Sequence, residues 1–459
     1  MFEKYHFSEN AKITTSKIPG PKSEELLRKQ EEFESNNRSY PRGIPIAFDR
    51  ARGASVIDVD GNVYLDFFSG CGVLNFAHNN PEILEEIGQH SDAIIQSVDF
   101  PTKPKIDFME KMLSILPEEM MGKYKINFGG PTGSDAVESA IKLARINKGR
   151  HGIISFQGSY HGMTMGALSV TSRLSNREDV VPLVPGVNFM PYCSPYRCPM
   201  GCNKKNECNF ECINFFRNAL ENPHSGVDKP AAIIIEPIQG EGGTYIPKDG
   251  WLEQVVDIAR RNDVLVIFDE VQAGFFRTGN LFSFQYTKAV PDIITMSKGI
   301  GGIGFPLSLI LYKNELDVWR PGTHIGTFRG HQLGMIAGFS AMKLAEKLNI
   351  KSYVDKIGKL IENGLIRIKD SFDFIGEIRS RGMMFGIEYV KNKETKEPNP
   401  ELAKAIRKLC YENGLLVEIG GYYSNVVRFL PPLVITEKIA INGLDIFEKV
   451  NKMAIKNKT

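Results

Sequence analysis

The chain reads Val264-Leu265-Val266-Ile267-Phe268-Asp269-Glu270-Val271-Gln272 near its middle, and this stretch decides the fold. Its leading apolar run matches a short strand that is buried on both faces of a parallel sheet. Just upstream, residues 252–259 carry apolar side chains at i, i+3, i+4 and i+7, which is one face of a helix. A helix followed by a buried strand is the repeating unit of an α/β fold.

The same alternation extends in both directions from this stretch. Short strand-like runs, separated by helical patterns, occur at Lys125–Phe128, Gly152–Phe156, Ala231–Ile235, Asp292–Met296 and Leu307–Tyr312. The pattern predicts a large α/β domain with a mostly parallel sheet covered by helices. We expect this domain to span residues 76–335.

The two chain ends have a different texture. Near the start, Asp60-Gly61 separates the strand-like runs Val56–Val59 and Asn62–Phe67, which is a strong β-hairpin signal. After about Gly334 the pattern is helical, and it then becomes mixed up to Val426–Pro432. We expect residues 1–75 and 336–459 to form a smaller α+β domain together.

Composition excludes several classes of partner. The 459 residues include 56 Lys plus Arg and 54 Asp plus Glu, so the formal charge of +2 offers no basic surface for nucleic acid. No apolar run reaches the roughly 18 residues that a membrane span requires. The first ten residues lack the basic and then apolar pattern of a secretory signal. We therefore expect a cytoplasmic protein with reduced thiols and neither a membrane nor a nucleic-acid partner.

Polar residues follow several of the predicted strands, where the ligands of such sheets collect. Asp269 directly follows its strand, and a partly desolvated carboxylate there needs a cationic partner; a helix cap or a surface salt bridge is the alternative reading. Lys298 lies between a strand end and a glycine cluster, where crowding favours a nucleophilic amine. Tyr160 and His161 place two rings near the same rim, although a lone aromatic residue there is usually packing.

The turn Gly129–Ala136 enters a helix and offers a seat for a phosphate. Free N–H groups and the helix dipole favour an anion there, and the hydroxyls of Thr132 and Ser134 would add to it. A glycine turn before a helix is more often plain packing. Taken together, however, the four features describe a phosphate, a ring nitrogen that needs an anion, a flat ring and an aldehyde. They predict pyridoxal 5′-phosphate as the cofactor.

From about Gly43 to its end the chain resembles the class III (omega) aminotransferases, which are fold-type I pyridoxal-phosphate enzymes. The motifs that carry this resemblance are Tyr64-Leu65-Asp66, Tyr160-His161-Gly162, Glu236–Gly243, Phe268–Gly279, Ser297-Lys298-Gly299, Gly326-Thr327-Phe328 and Arg428–Pro432. The resemblance implies a large domain with a mostly parallel seven-stranded sheet, plus the smaller α+β domain.

The resemblance also implies a role for each matched position. Lys298 corresponds to the Schiff-base lysine and Asp269 to the partner of the ring nitrogen. Gln272 corresponds to the residue that bonds the ring hydroxyl, and Tyr160 to the ring that stacks on the cofactor. The other implied cofactor-binding positions are Thr132, Gly133, Ser134, His161, Gly162, Glu236 and Thr327.

Two further implications concern substrate and assembly. Arg428 resembles the arginine that clamps a substrate α-carboxylate, and Glu241 the residue that pairs with this arginine when an amine-ended substrate binds. Thr327 resembles a threonine that reaches the phosphate of the neighbouring subunit. This implies a homodimer with shared active sites, and pairing of dimers into larger assemblies stays open.

Some segments depart from the commoner pattern of the family. The segments Gly130–Ala136, Tyr196–Pro199 and Phe328–Gly330 resemble the 2,4-diaminobutyrate:2-oxoglutarate aminotransferase subgroup. That resemblance implies transfer of the terminal amino group of a diamino acid to 2-oxoglutarate by a ping-pong mechanism, which yields a semialdehyde and glutamate. His331 stands where an asparagine is expected.

Alternative functions remain open at this point. The same apparatus serves amino-acid racemases and epimerases, and other omega-aminotransferases act on 4-aminobutyrate, ornithine or lysine. A non-catalytic metal-binding scaffold that uses the cysteine cluster is a third possibility, which the completeness of the motifs disfavours.

Five of the seven cysteines fall between residues 193 and 212. Four thiolates could hold zinc, and the alternative metal ligands are Cys198, Cys202, Cys208 and Cys212. The gaps between them are not the paired two-residue spacing that is typical of zinc sites, so we favour free thiols and no metal. Transamination does not need this cluster.

Overall fold

The computed structural model describes residues 2–202 and 208–456. The strands in these ranges are β1 (Phe48–Arg52), β2 (Ser55–Asp58), β3 (Val63–Asp66), β4 (Tyr124–Phe128), β5 (Ile153–Phe156), β6 (Val187–Met190), β7 (Ala232–Ile235), β8 (Leu265–Asp269), β9 (Ile293–Met296), β10 (Leu309–Lys313), β11 (Ile375–Arg381), β12 (Met384–Tyr389), β13 (Leu415–Leu416), β14 (Glu418–Gly420) and β15 (Val426–Phe429).

The α-helices in the same ranges are α1 (Pro21–Phe33), α2 (Tyr40–Gly43), α3 (Ser69–Gly72), α4 (Pro81–Gln89), α5 (Lys103–Ser114), α6 (Gly133–Lys148), α7 (Met165–Val170), α8 (Glu211–Glu221), α9 (Trp251–Arg261), α10 (Gln332–Lys347), α11 (Ile350–Asp370), α12 (Pro400–Glu412) and α13 (Glu437–Lys456). Among the described helices, none combines the length and the apolar character that a membrane crossing requires.

The chain divides into two compact units. The larger unit is Glu85–Lys351, and the smaller unit joins Met1–Leu84 to Ser352–Thr459. The sequence pattern predicts boundaries nine and sixteen residues earlier, at 75/76 and 335/336. The observed division places α10 in the larger unit because α10 packs on α5 and on the 3-10 turn Lys298–Gly301. A side chain at Gly338 of α10 would collide with Phe108 of α5.

The larger unit is built on the predicted seven-stranded sheet, in the order β4-β10-β9-β8-β7-β5-β6. The ladders between β6 and β5, β5 and β7, β7 and β8, and β8 and β9 are parallel. Strand β10 runs antiparallel to both of its neighbours. The prediction of a mostly parallel α/β sheet is confirmed.

Helices cover the sheet through small and apolar side chains, and the parallel strands end at a common edge. The small residues Ala136, Ala140 and Ala144 of α6 are fully buried in one core cluster with Ile234 and Ile267 of the central strands. Helix α9 buries the apolar face that the sequence predicts. Because parallel strands end at one edge, the residues that follow them gather there.

Within the seven-stranded sheet, β6 is the strand that the sequence pattern did not reveal. It reads Val187-Asn188-Phe189-Met190 and lies at the edge of the sheet, where only Met190 is buried. An edge strand that is half exposed has no continuous apolar run, so its sequence resembles a loop.

The smaller unit contains two four-stranded sheets, in the orders β1-β2-β3-β13 and β11-β12-β15-β14. Strands β2 and β3 form the predicted hairpin, and Gly61 takes the positive φ of +88° that its turn needs. The second sheet is antiparallel throughout and holds Arg428 on β15. With its helices, this unit is α+β.

Candidate active site

Asp269 and His161 form the centre of the cluster at the strand ends. Asp269 is the last residue of β8 and is 4% exposed. One carboxylate oxygen lies 2.7 Å from His161 Nδ1, and the other accepts the Val271 N–H at 3.0 Å. The backbone of His161 is itself fixed, since its N–H donates to the Thr171 hydroxyl at 2.9 Å. Among the described residues, the His161 ring is therefore the side-chain partner of Asp269, and the carboxylate keeps lone pairs for a further donor.

Lys298 lies one residue beyond β9 and begins the 3-10 turn Lys298–Gly301. Its φ of +51° is in the left-handed region, which costs a residue with a side chain free energy. Ser297 holds the chain there by donating its hydroxyl to the Leu307 carbonyl at 2.9 Å. Within the described part of the chain, no hydrogen bond or ion pair engages the Lys298 amine. This half-buried amine is available to a carbonyl carbon.

The turn before α6 has the form of an anion seat. Thr132 caps the helix, and both its N–H and its hydroxyl donate to Asp135 at 2.9 Å. Ser134 accepts the Met163 N–H at 3.1 Å. A Cβ atom at Gly133 would approach Val271 within 2.8 Å, and one at Gly162 would overlap Ser134. Because both positions are glycines, the backbone segments can pack closely at the first turn of α6, where free N–H groups are available to an anion.

Glu236 follows β7 and joins two backbone segments. Its carboxylate accepts the Tyr160 N–H at 3.0 Å and the Gly240 N–H at 2.8 Å. Burial raises the pKa of Glu236 to about 7. The Glu236 carboxylate therefore fixes the backbone at Tyr160 and at Gly240. Gly240 belongs to the segment 236–245, which we call the 236–245 turn.

Glu241 lies on the 236–245 turn and contacts Gln272. The Gln272 amide donates to Glu241 Oε1 at 3.1 Å. A side chain at Gly240 would overlap the amide oxygen of Gln272, so this glycine is required for the close approach. The proposed ring-hydroxyl residue and the proposed substrate residue are thus neighbours in the larger unit.

Thr327 and Arg428 are the two remaining predicted site residues. Thr327 is exposed, and its carbonyl accepts a hydrogen bond from the Gln96 amide. Arg428 belongs to the smaller unit, where it is 1% exposed on β15 and stands opposite Gly386 and Glu418 on the neighbouring strands. The structure does not test the roles of these two residues, which stay predictions.

Thr295 is a residue of the site that the sequence did not single out. It is the β9 neighbour of Asp269, and its hydroxyl is buried without a hydrogen-bond partner among the described residues. The same holds for His161 Nε2. The available signal was one polar residue inside the apolar run Ile293-Ile294-Thr295-Met296. Two unsatisfied polar atoms beside Asp269, a glycine-lined anion seat and an available lysine fit the predicted cofactor.

The cysteine segment, residues 193–212, contains free thiols. Cys193, Cys208 and Cys212 are buried, and all seven cysteines lack a disulfide bond. In residues 2–202 and 208–456, no three His, Cys, Asp or Glu side chains are arranged to hold a metal ion. The segment between Cys202 and Cys208 lies outside the described residues.

Known proteins resemble the chain over most of its length. The family model described as Aminotransferase class-III matches residues 37–450. The diaminobutyrate--2-oxoglutarate aminotransferase of Haemophilus influenzae is 42% identical over 89% of this chain and 90% of its own length. The diaminobutyrate--2-oxoglutarate transaminase of Virgibacillus pantothenticus is also 42% identical, over 91% of this chain and 97% of its own.

Solved structures agree with this sequence similarity. A Bacillus anthracis aminotransferase matches with a TM-score of 0.85 and 27% identity, over 96% of this chain and all of its own. The predicted family and fold-type I architecture are confirmed. The chain belongs to the class III aminotransferases, which are transaminases that depend on pyridoxal phosphate.

Proposed function

We propose that this aminotransferase moves the terminal amino group of L-2,4-diaminobutyrate to 2-oxoglutarate, giving the amino-acid semialdehyde and glutamate. The observation that carries the chemistry is the buried Asp269–His161 pair at the end of β8, with the available Lys298 amine just after the neighbouring strand β9. The choice of substrate is supported by relatives at 38–42% identity whose names give diaminobutyrate as donor and 2-oxoglutarate as acceptor.

Pyridoxal phosphate, when bound, supplies the electron sink that stabilises negative charge at the substrate carbon. Asp269 would accept the N–H of the ring nitrogen and keep that proton in place. His161 holds the Asp269 carboxylate in position through the bond at 2.7 Å. The Lys298 amine removes the proton from the substrate carbon as general base and returns a proton as general acid.

The remaining residues of the cluster would position the cofactor. Gly133 and Ser134 would hold its phosphate at the start of α6, in a turn that Thr132 shapes by donating to Asp135. Tyr160 would cover one face of the ring, since Glu236 fixes its backbone. Gln272 would bond the ring hydroxyl from its place beside Glu241.

Arg428 and Glu241 would choose between the two substrates. Arg428 suits the α-carboxylate of 2-oxoglutarate through a bidentate contact. Glu241 would supply the compensating negative charge when the diamino acid binds with its terminal amine in the reacting position. The two half-reactions alternate on one enzyme, so we expect ping-pong kinetics.

We further propose a homodimer with shared sites, in which Thr327 completes the phosphate seat of the partner. Support comes from the exposed apolar surface around it, where segments 94–100 and 325–329 are joined by the Arg329–Asp99 ion pair. Its apolar members are strongly exposed: Ile94 (64%), Phe100 (74%), Ile325 (67%) and Phe328 (70%). An apolar surface of this kind favours a protein partner.

A cytosolic location is supported by cysteines that form no disulfide.

Mixing two inactive variants tests the shared site. A Lys298→Ala subunit paired with a Thr327→Asp subunit forms one site with both native residues and one with neither. We expect the mixture to regain activity that neither variant has alone. No recovery, in a mixture shown by native mass spectrometry to contain the mixed dimer, would contradict the shared site.

A donor panel tests the reaction itself. Purified enzyme with 2-oxoglutarate and single amines should release glutamate fastest with L-2,4-diaminobutyrate. A higher kcat/KM with 4-aminobutyrate, ornithine or lysine would move the enzyme to another omega-aminotransferase group. Inversion of an amino acid without glutamate formation would identify a racemase.

A further inference from the structure

The hydroxyl of Tyr192 contacts the backbone at both ends of the 236–245 turn. The side chain is 1% exposed and follows edge strand β6. Its hydroxyl lies 3.2 Å from the Glu236 carbonyl, 3.1 Å from the Pro237 carbonyl and 3.5 Å from the Tyr245 carbonyl. The single phenolic proton is therefore shared among acceptors at the entry and at the exit of the turn.

The turn between these acceptors is short and closed. Gln239 and Tyr245 exchange two backbone hydrogen bonds, at 3.0 and 3.1 Å. Glu241 lies in the closed part, two residues after Gln239. A clamp at the base of so short a turn restricts where the Glu241 carboxylate can go.

The ring of Tyr192 is held in place by aromatic packing. It packs on Trp251 with ring centroids 4.9 Å apart and meets Phe156 edge-on at 6.5 Å. Trp251 is in turn fixed, because its indole N–H donates to Cys212 Sγ at 3.2 Å. The cysteine segment thus supports the tyrosine, and the tyrosine holds the turn.

We propose that Tyr192 is a positioning residue for the amine half-reaction, acting through Glu241. The clamp keeps Glu241 at the place where Gln272 bonds it, ready to compensate charge when the diamino acid binds. This inference rests on the proposed role of Glu241. It assigns to the cysteine segment, which the catalytic residues leave unused, the task of supporting substrate choice.

Tyr192→Phe removes the hydroxyl and keeps the packing of the ring. We expect KM for L-2,4-diaminobutyrate to rise about fivefold, the effect of one lost hydrogen bond. In single-turnover spectra the 2-oxoglutarate half-reaction should keep its rate. Tyr389→Phe is the matched control, because Tyr389 is fully buried in the smaller unit and its hydroxyl bonds Asn451 at 2.9 Å. We expect this control to leave both half-reactions unchanged.

The double variant Tyr192→Phe/Glu241→Gln separates this inference from the proposed function. If Tyr192 acts through Glu241, adding Tyr192→Phe to Glu241→Gln should cost no further activity in the amine half-reaction. Additive losses, or equal damage to both half-reactions, would overturn the positioning role and leave the role of Glu241 standing. A Glu241→Gln variant with an unchanged amine half-reaction would overturn both.

Discussion

The strand ends and the 236–245 turn both carry residues of the proposed active site, but they are built differently. Asp269 and Lys298 are fixed by strands of the central sheet, whose backbones are paired on both sides. Glu241 depends on side chains that bond the backbone of its turn, from Glu236 and Tyr192. In our proposal the strand ends carry groups that both half-reactions need, whereas the turn carries a group that only one substrate needs. Substitutions at strand ends should therefore damage both half-reactions, and substitutions in the turn should separate them.

Lys298→Ala should have the largest effect. Removal of the proposed general base should lower kcat in both half-reactions by about 10²–10⁴-fold or more. The cofactor should still bind noncovalently, because the phosphate seat and Asp269 remain. Lys343→Ala, at an exposed lysine 3.4 Å from Glu86, is the control. Near-normal single-turnover rates in Lys298→Ala would remove this lysine from the mechanism.

Asp269→Asn should be the next most severe change. A neutral amide cannot hold the ring nitrogen protonated, and we expect both half-reactions to slow by about 10²–10³-fold. Asp292→Asn is a matched control, since Asp292 is also buried and bonds the Val266 N–H and Lys313. It should lower the melting temperature while keeping the catalytic rate. A loss of only a few fold in Asp269→Asn would make that carboxylate structural.

Arg428→Ala and Glu241→Gln should divide the reaction in opposite ways. Loss of the arginine should impair the 2-oxoglutarate half-reaction far more than the amine half-reaction. Glu241→Gln should weaken the amine half-reaction by about 1–3 kcal/mol, the scale of an unpaired buried group. Single-turnover spectra of each half-reaction measure this. Equal damage to both halves in both variants would leave the two residues as general supports.

Glu270 should give the smallest effect, on stability and its pH dependence. It is the sequence neighbour of Asp269, but its carboxylate accepts hydrogen bonds from Ser283 and Phe284, and burial raises its pKa from 4.5 to about 7. The folded protein therefore binds this proton more tightly than the unfolded chain does. The free energy of unfolding should fall as the pH rises from about 4.5 to about 7.

Glu270→Gln should flatten this slope without abolishing it, because the raised pKa of Glu236 acts with the same sign. Urea unfolding at pH 5 and at pH 7.5 measures the change in each protein. An unaltered slope would show that Glu270 is ionised in the folded protein throughout this range.

Strand-end residues were predictable from the sequence because a buried strand is recognisable as a continuous apolar run. The residue that follows such a run must lie at the edge of the sheet. Asp269 and Lys298 follow such runs, and Asp60-Gly61 marks its hairpin equally well. The backbone contacts of Glu236 were not predictable, since its partners Tyr160 and Gly240 depend on how separate segments meet.

His331 shows why a departure from the family pattern needs a structure. Its Nδ1 accepts the Gly334 N–H at 3.1 Å at the start of α10, which is the capping role that an asparagine performs. Its ring also stacks on Phe305 with centroids 6.1 Å apart. The substitution therefore has a local structural account, which sequence comparison alone did not provide.

Attachment of pyridoxal phosphate to Lys298 is tested most directly by borohydride reduction of the purified enzyme, followed by digestion and mass spectrometry. We expect one reduced cofactor on the peptide that contains Lys298, together with loss of the yellow absorption band and of activity. Lys298→Ala, treated in the same way, should carry no label. Attachment to another lysine, or full activity after reduction with no labelled peptide, would contradict the account.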